Sequence, residues 1–280
     1  MNRMNGLSRS PFYGLPILFF VTAFLGNVFS VGGLAHAQAN APKTADSKTA
    51  IIIDVKLPID AASEASLIRQ LESVAVSASG LERPIVVLNF QRTSSSLNQA
   101  ESLLGQGTSF EKSLSISRWL TGPKGSRLRT VAYFNESMVG HAVLIALACE
   151  EIAMAADAEF GRAAMDEQAV DDTIKQAYVD IAKRRGSFPA AAVLSMLDPS
   201  ETLFKLELEN KQTEYRTIKQ LESDGRPEGA WNEEQLVPNN QLFFVDGHTL
   251  RRWQWVAHTA MDLEQLGQVL RLNGPLVALP

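Results

Sequence analysis

The chain has one cysteine, Cys149, in 280 residues, so it has no intrachain disulfide framework. A lone cysteine inside an apolar run behaves as a small hydrophobe, and such surroundings keep its thiol protonated and inert. Basic residues are not in excess either. Lys and Arg number 26 against 31 Asp and Glu, a net charge of -5. A nucleic-acid-binding domain normally shows a basic face, so no nucleic-acid partner is expected. Histidine is scarce, with four in the chain. His141, His248 and His258 are too widely spaced for a metal-ligand pattern, and no metal or cofactor is expected. There is no internal repeat and no long low-complexity segment. Beyond the N-terminus, no apolar run approaches the roughly 20 residues that a membrane-spanning helix needs.

What is present begins with a targeting pattern. Arg3 and Arg9 form a positive start, residues 12–31 are mostly apolar, and Ala35-His36-Ala37 supplies a small-residue cleavage signal. Residues 1–37 therefore read as a secretory signal peptide. An uncleaved anchor is the alternative, although Gly14, Pro16, Gly26 and Asn27 interrupt that span. Either reading places the body outside the cytoplasm, in the periplasm or another extracytoplasmic space, with membrane association left open. Residues 38–49 read as a linker rich in Ala, Ser, Thr, Pro and Lys.

The folded part has an ordinary globular composition, with 45% hydrophobic and 20% charged residues. A β-prone run at 50–55 precedes an amphipathic helix at 61–76, whose stripe is Leu67, Ile68, Leu71 and Val74. Gly80 is the expected stop. A strand at 84–90, a helix at 109–120, a strand at 130–134, an all-apolar helix at 143–149 and a short strand at 152–155 follow. A turn is expected at Phe160-Gly161, then helices at 173–185 and 188–196. Strands alternating with helices predict an α/β fold with a mostly parallel sheet over residues 50–200. Residues 201–280 change character and predict a small α+β extension. In it, 203–209 and 213–218 form a hairpin about Asn210-Lys211, and 224–234 reads as a polar loop. A strand at 242–245, a helix entered at Gly247 and a last helix at 262–272 complete it. Of Trp231, Trp253 and Trp255, an exposed one would mark a partner surface.

Residues 128–164 carry the most information: strand, tight turn from Glu136 to His141, buried helix ending in Ala148-Cys149-Glu150, strand Ile152-Ala153-Met154-Ala155, and the turn at Phe160-Gly161. This arrangement resembles the Clp protease/crotonase superfamily, and within it the membrane-associated serine proteases of the NfeD and signal peptide peptidase A type. The resemblance implies a repeated ββα spiral, a homo-oligomer, and a peptide or membrane-protein partner. It also implies a serine at the helix start, a lysine base on a later helix, and a glycine-rich turn supplying oxyanion donors.

Read position by position, those requirements fail together. The serine falls on Gly140, which has no hydroxyl. The lysine context is matched by Ala177-Tyr178-Val179-Asp180, so Asp180 stands where the base should be. The turn after 86–90 is Gln91-Arg92-Thr93-Ser94-Ser95-Ser96, without glycine. The expectation is a degenerate, catalytically inactive homologue that binds peptide or serves as an assembly subunit. One alternative is an active serine peptidase with a shifted dyad of Ser137 with Lys183 or Lys175. His141 is a further candidate base or pocket donor. Another alternative is a crotonase-type acyl-CoA enzyme, suggested by Gly140 and by Leu147-Ala148-Cys149-Glu150; an export signal argues against it. Glu159, Asp166, Glu167, Asp171 and Asp172 form an acidic rim that reads more readily as a solvated face than as a metal site. The apolar C-terminal stub also leaves room for the chain being a shortened form of a longer membrane protein.

Overall fold

A computed structural model describes residues 49–78, 83–93 and 103–279. The signal segment, residues 38–48 of the linker, Gly80 and residues 94–96 lie outside the described residues. The main sheet holds six parallel strands in the order β10-β4-β3-β2-β1-β11. They are β1 (Ala50–Leu57), β2 (Ile85–Arg92), β3 (Arg129–Phe134), β4 (Glu151–Met154), β10 (His258–Thr259) and β11 (Leu276–Ala278). The first six residues of β2 are all buried. A parallel strand covered on both faces is apolar nearly throughout, which is why 84–90 is apolar except for Asn89.

The helices start and stop for local reasons. In α1 (Ala61–Ser77), Asp60 accepts from the Ser63 N–H at 2.7 Å while Ser63 Oγ accepts from the Asp60 N–H at 2.9 Å. That reciprocal box satisfies two otherwise orphan donors. Leu67, Leu71 and Val74 are buried and Ile68 packs beside them, and the helix ends at Ser77, before Gly80. Helix α2 is Phe110–Leu120, and α3 is Ala142–Ala148, buried at every residue. In α4 (Asp172–Arg185), Asp171 caps the start and Gly186 closes the end in the left-handed conformation. Lys183, Arg184 and Arg185 occupy the last turn, where cations suit the helix dipole. Helix α5 is Ala190–Leu197.

Three successive units share one plan. After β2 the chain touches a second layer at Leu104, then enters α2. After β3 it touches that layer at Met138, then enters α3. After β4 it forms β5 (Glu159–Gly161), then enters α4. Leu104, Met138 and Phe160 are linked side by side by parallel bridges. This is the repeated ββα spiral, with the second layer running across the helix starts.

The region after residue 200 contributes to both layers. β6 (Leu203–Leu208) and β7 (Thr213–Thr217) form the expected antiparallel hairpin, with Lys211 at φ +68°. Residues 224–234 are not simply a loop. β8 (Ala230–Gln235) pairs antiparallel with β6, and α6 (Ile218–Asp224) precedes it behind a Thr217/Gln220 capping box. β8 is almost wholly exposed, Trp231 included at 64%, so the apolar alternation that reveals a half-buried strand has no reason to exist there. β9 (Phe244–Asp246) pairs with β5, while β10 and β11 form the two outer strands of the main sheet. The apolar stub therefore contains an edge strand: Leu276, Val277 and Ala278 pair with Ala50, Ile51 and Ile52. α7 (Gly247–Arg252) is shorter than expected, and α8 is Leu263–Val269. β10 is tied to its neighbour by His258 Nε2, 3.2 Å from Glu151 Oε2, and Glu151 also pairs with Arg129 at 2.6 Å. Among the described residues, no helix is long and apolar enough to cross a membrane.

The main sheet has two unequal cores. One face, with Val86, Leu88, Phe90, Ala132 and Phe134, packs against α1, α2 and α3. The other, with Val87, Val131 and Tyr133, is covered by Leu266 and Leu270 at α8.

Candidate functional site

The candidate site is the turn between β3 and α3, on the larger core. Its backbone is held by neighbouring units. Met138 N–H donates to Glu159 O at 2.8 Å, Val139 N–H to Leu104 O at 2.9 Å, and Gly140 N–H to Arg162 O at 3.2 Å. Gly140 has φ +65°, and a Cβ there would lie 3.0 Å from both Asp166 Oδ2 and Gly105 O. The left-handed backbone and the filled space both favour glycine. Gly105 is tighter still. At φ +95°, its Cβ would lie 2.5 Å from Val139 O and 2.7 Å from Ala142 Cβ.

The glycine-bearing turn beside Gly140 is therefore Leu104-Gly105-Gln106-Gly107, and the reading that placed this turn at 91–96 is corrected. After β2 the chain returns to the second layer at Leu104. A Gly-x-Gly at 105–107 was visible in the sequence, but nothing local tied it to Gly140. One of its donors is occupied: Gly107 N–H donates to Asp166 Oδ2 at 2.8 Å. The Asp166 carboxylate thus sits between the two glycine turns.

His141 is 1% exposed. Its Nδ1 lies 3.0 Å from Tyr178 Oη and its Nε2 3.0 Å from Glu167 Oε1. A carboxylate only accepts. In the neutral imidazole, Nε2–H therefore donates to Glu167, and Nδ1 accepts the Tyr178 hydroxyl proton. The Phe110 ring covers the pair, 5.4 Å from His141 and 6.4 Å from Tyr178 by centroids. Burial, and then the negative charge of Glu167, holds the Tyr178 hydroxyl well above its usual pKa, so it remains a protonated donor at neutral pH.

The other sequence candidates are dispersed. Ser137 Oγ accepts from Glu159 N–H at 2.9 Å, as a turn residue does. Lys175 Nζ pairs with Asp198 Oδ2 at 2.7 Å, and Lys183 is exposed in the last turn of α4. Asp180 is exposed and accepts from Gln176 Nε2 at 2.6 Å. From α4, the side chain that reaches the start of α3 is Tyr178. Cys149 is fully buried, and burial pushes its thiol up to about 12. The acidic rim divides by role: Asp166 and Glu167 serve the turn, and Asp171 caps α4. Among the described residues, no group of three or more His, Cys, Asp and Glu side chains could hold a metal ion.

No protein family and no curated protein matches this sequence. Similar chains occur among solved structures. One is a membrane-bound stomatin-specific protease, a mutant in complex with a substrate peptide, with 10% identity, 80% of each chain covered and a TM-score of 0.48. Another is a methylmalonyl CoA decarboxylase, with 10% identity, 80% of this chain and 68% of that one covered, and a TM-score of 0.44. A third is an enoyl-CoA hydratase/isomerase from Marinobacter aquaeolei, with 12% identity, coverage of 80% and 72%, and a TM-score of 0.43. These likenesses are of fold. A protease and acyl-CoA enzymes stand among them, and they do not choose between those activities for this chain.

Chemically, the arrangement offers a buried histidine with both nitrogens engaged, beside a turn whose hydroxyl-free residue is hemmed in by a carboxylate. It offers no nucleophile at Gly140.

Proposed function

We propose that this chain is an exported Clp protease/crotonase-like protein without peptidase chemistry, acting as a peptide-binding or assembly subunit at the membrane. Self-association is part of the proposal. The observation that carries it is Gly140: a left-handed residue whose Cβ position faces Asp166 Oδ2 and Gly105 O at 3.0 Å. A serine there would be strained and crowded, and it would meet the Asp166 carboxylate where the resemblance calls for a lysine. Three further facts support the reading. Gly140 N–H is committed to Arg162 O and Gly107 N–H to Asp166, so two backbone donors near the turn are already used. His141 has partners on both nitrogens. Ser137 Oγ accepts from a strand N–H, and Lys175 is paired.

A fluorophosphonate probe tests the proposal, because it labels activated serines whatever the natural substrate. The full chain, and an Asp166→Ala variant that opens the turn, are both expected to remain unlabelled. Labelling that disappears in Ser137→Ala would establish an active peptidase and overturn the proposal.

A further inference from the structure

The second face of the main sheet carries a polar row that the α3 turn does not use. Asp54, Asn89 and Tyr133 stand side by side across β1, β2 and β3, since Asp54 registers with Asn89 and Asn89 with Tyr133. Strand alternation places them with Val87 and Val131, on the face turned away from α3. Asp54 Oδ1 accepts from Asn89 Nδ2 at 2.7 Å and from Gln91 Nε2 at 3.2 Å. Tyr133 ends the row. It is 2% exposed, and its hydroxyl has no hydrogen-bond partner among the described residues. A buried polar group without a partner is destabilising, and a native fold that keeps one invites a functional explanation.

Tyr133 lines an open cleft of about 710 Å³, within the usual size range of small-molecule sites. The cleft lies at the carboxyl ends of β2 and β3, beneath the start of α8. In open α/β sheets, the carboxyl ends of the strands are where ligands sit. Its charged lining is Arg92, Glu136, Asp262 and Glu264. One cation against three carboxylates leaves a formal charge of -2. Arg92 Nε is paired with Glu136 Oε2 at 2.6 Å, so Asp262 and Glu264 carry the excess. Asp262 Oδ1 also accepts from Gln265 N–H at 2.8 Å.

We infer that this cleft binds an organic cation, an alkylammonium or guanidinium group, whose N–H donors meet the Tyr133 hydroxyl and the carboxylates of Asp262 and Glu264. The hydroxyl suits the task. Burial, and then the negative charge of Asp262, raises its pKa to about 12, so at neutral pH it is an uncharged group with lone pairs to offer. An anion would meet the excess negative charge. A neutral ligand would leave two carboxylates without a counter-charge.

The cation has two possible sources, a free diamine or a basic side chain on a peptide, and calorimetry on the full chain separates them. Putrescine and a short lysine peptide with blocked ends are the two probes, with acetate as the anionic control. Saturable binding of at least one cation is expected, weakened about tenfold or more by Tyr133→Phe and by Glu264→Gln, because each removes a bond to a charged donor. Asp262→Asn should weaken binding while retaining the α8 cap. Tighter binding of putrescine would identify a free amine as the ligand, and tighter binding of the peptide a side chain. No heat from either cation, an equal response to acetate, or unchanged affinity in both Tyr133→Phe and Glu264→Gln would overturn the inference. Circular dichroism of each variant separates lost binding from lost folding. Nothing in this test depends on whether the α3 turn is active.

Discussion

Tyr178 and Tyr133 are both buried, and burial raises the pKa of both hydroxyls, yet they belong to opposite situations. Tyr178 reaches from α4 to His141, whose other nitrogen meets Glu167. Around it two donors of the glycine turns are taken, Gly140 N–H by Arg162 and Gly107 N–H by Asp166. Tyr133 lies on the other side of the sheet and lines an open cleft, and its hydroxyl has no hydrogen-bond partner among the described residues. The family resemblance points to the first region, where the polar groups are closed on one another. The second region, which no motif marks, is where a polar group still lacks a partner. Resemblance directs attention to one site; hydrogen-bond accounting locates a polar group in another.

Substitutions can break that comparison. The largest effect is expected from Gly105→Ala in the closed region. Its Cβ would sit 2.5 Å from Val139 O at a left-handed φ, so backbone must move. A loss of about 3–5 kcal/mol, at the upper end for single substitutions, should appear in urea unfolding. A loss below about 1 kcal/mol would mean that the two glycine turns are not locked together. Tyr178→Phe should come next. It leaves His141 Nδ1 buried without its donor, at about 1–3 kcal/mol, again read from denaturant midpoints. Tyr133→Phe should do least. It removes a hydroxyl with nothing to lose, so stability should stay within about 0.5 kcal/mol or rise. If the two Tyr→Phe variants lose stability equally, the contrast between paired and unpaired hydroxyls fails.

Much of the scaffold was legible because periodicity follows burial. Residues 143–149 are apolar throughout, and α3 is buried at every residue; 84–90 is apolar except for Asn89, and the first six residues of β2 are buried. The hairpin about Asn210-Lys211 showed itself by alternation. β8 did not, because an exposed edge strand has no core to impose a pattern. The short strands β10 and β11 were invisible for a related reason: two or three residues are too few to show a period, and their pairing is decided by the strands they join. At the site, Gly140 and His141 were legible as the start of α3. Tyr178 was visible only as a neighbour of Asp180, at the position where the resemblance implies a lysine. Asp166 and Gly107 were not connected to anything, because they lie 59 residues apart and meet through one hydrogen bond. The glycine turn was sought directly after β2, whereas the chain delivers it at Leu104.

The sequence by itself determined the α/β alternation, the buried α3, and a hydroxyl-free Gly140 at its start. These follow from side-chain chemistry and local spacing, which a linear reading contains. Only the tertiary structure decided which groups are satisfied: Asp166 over the Gly105 and Gly140 turns, His141 held between Tyr178 and Glu167, and Tyr133 without a partner among the described residues. Hydrogen bonds between distant residues depend on how the units of the spiral stack, and no local pattern records that stacking.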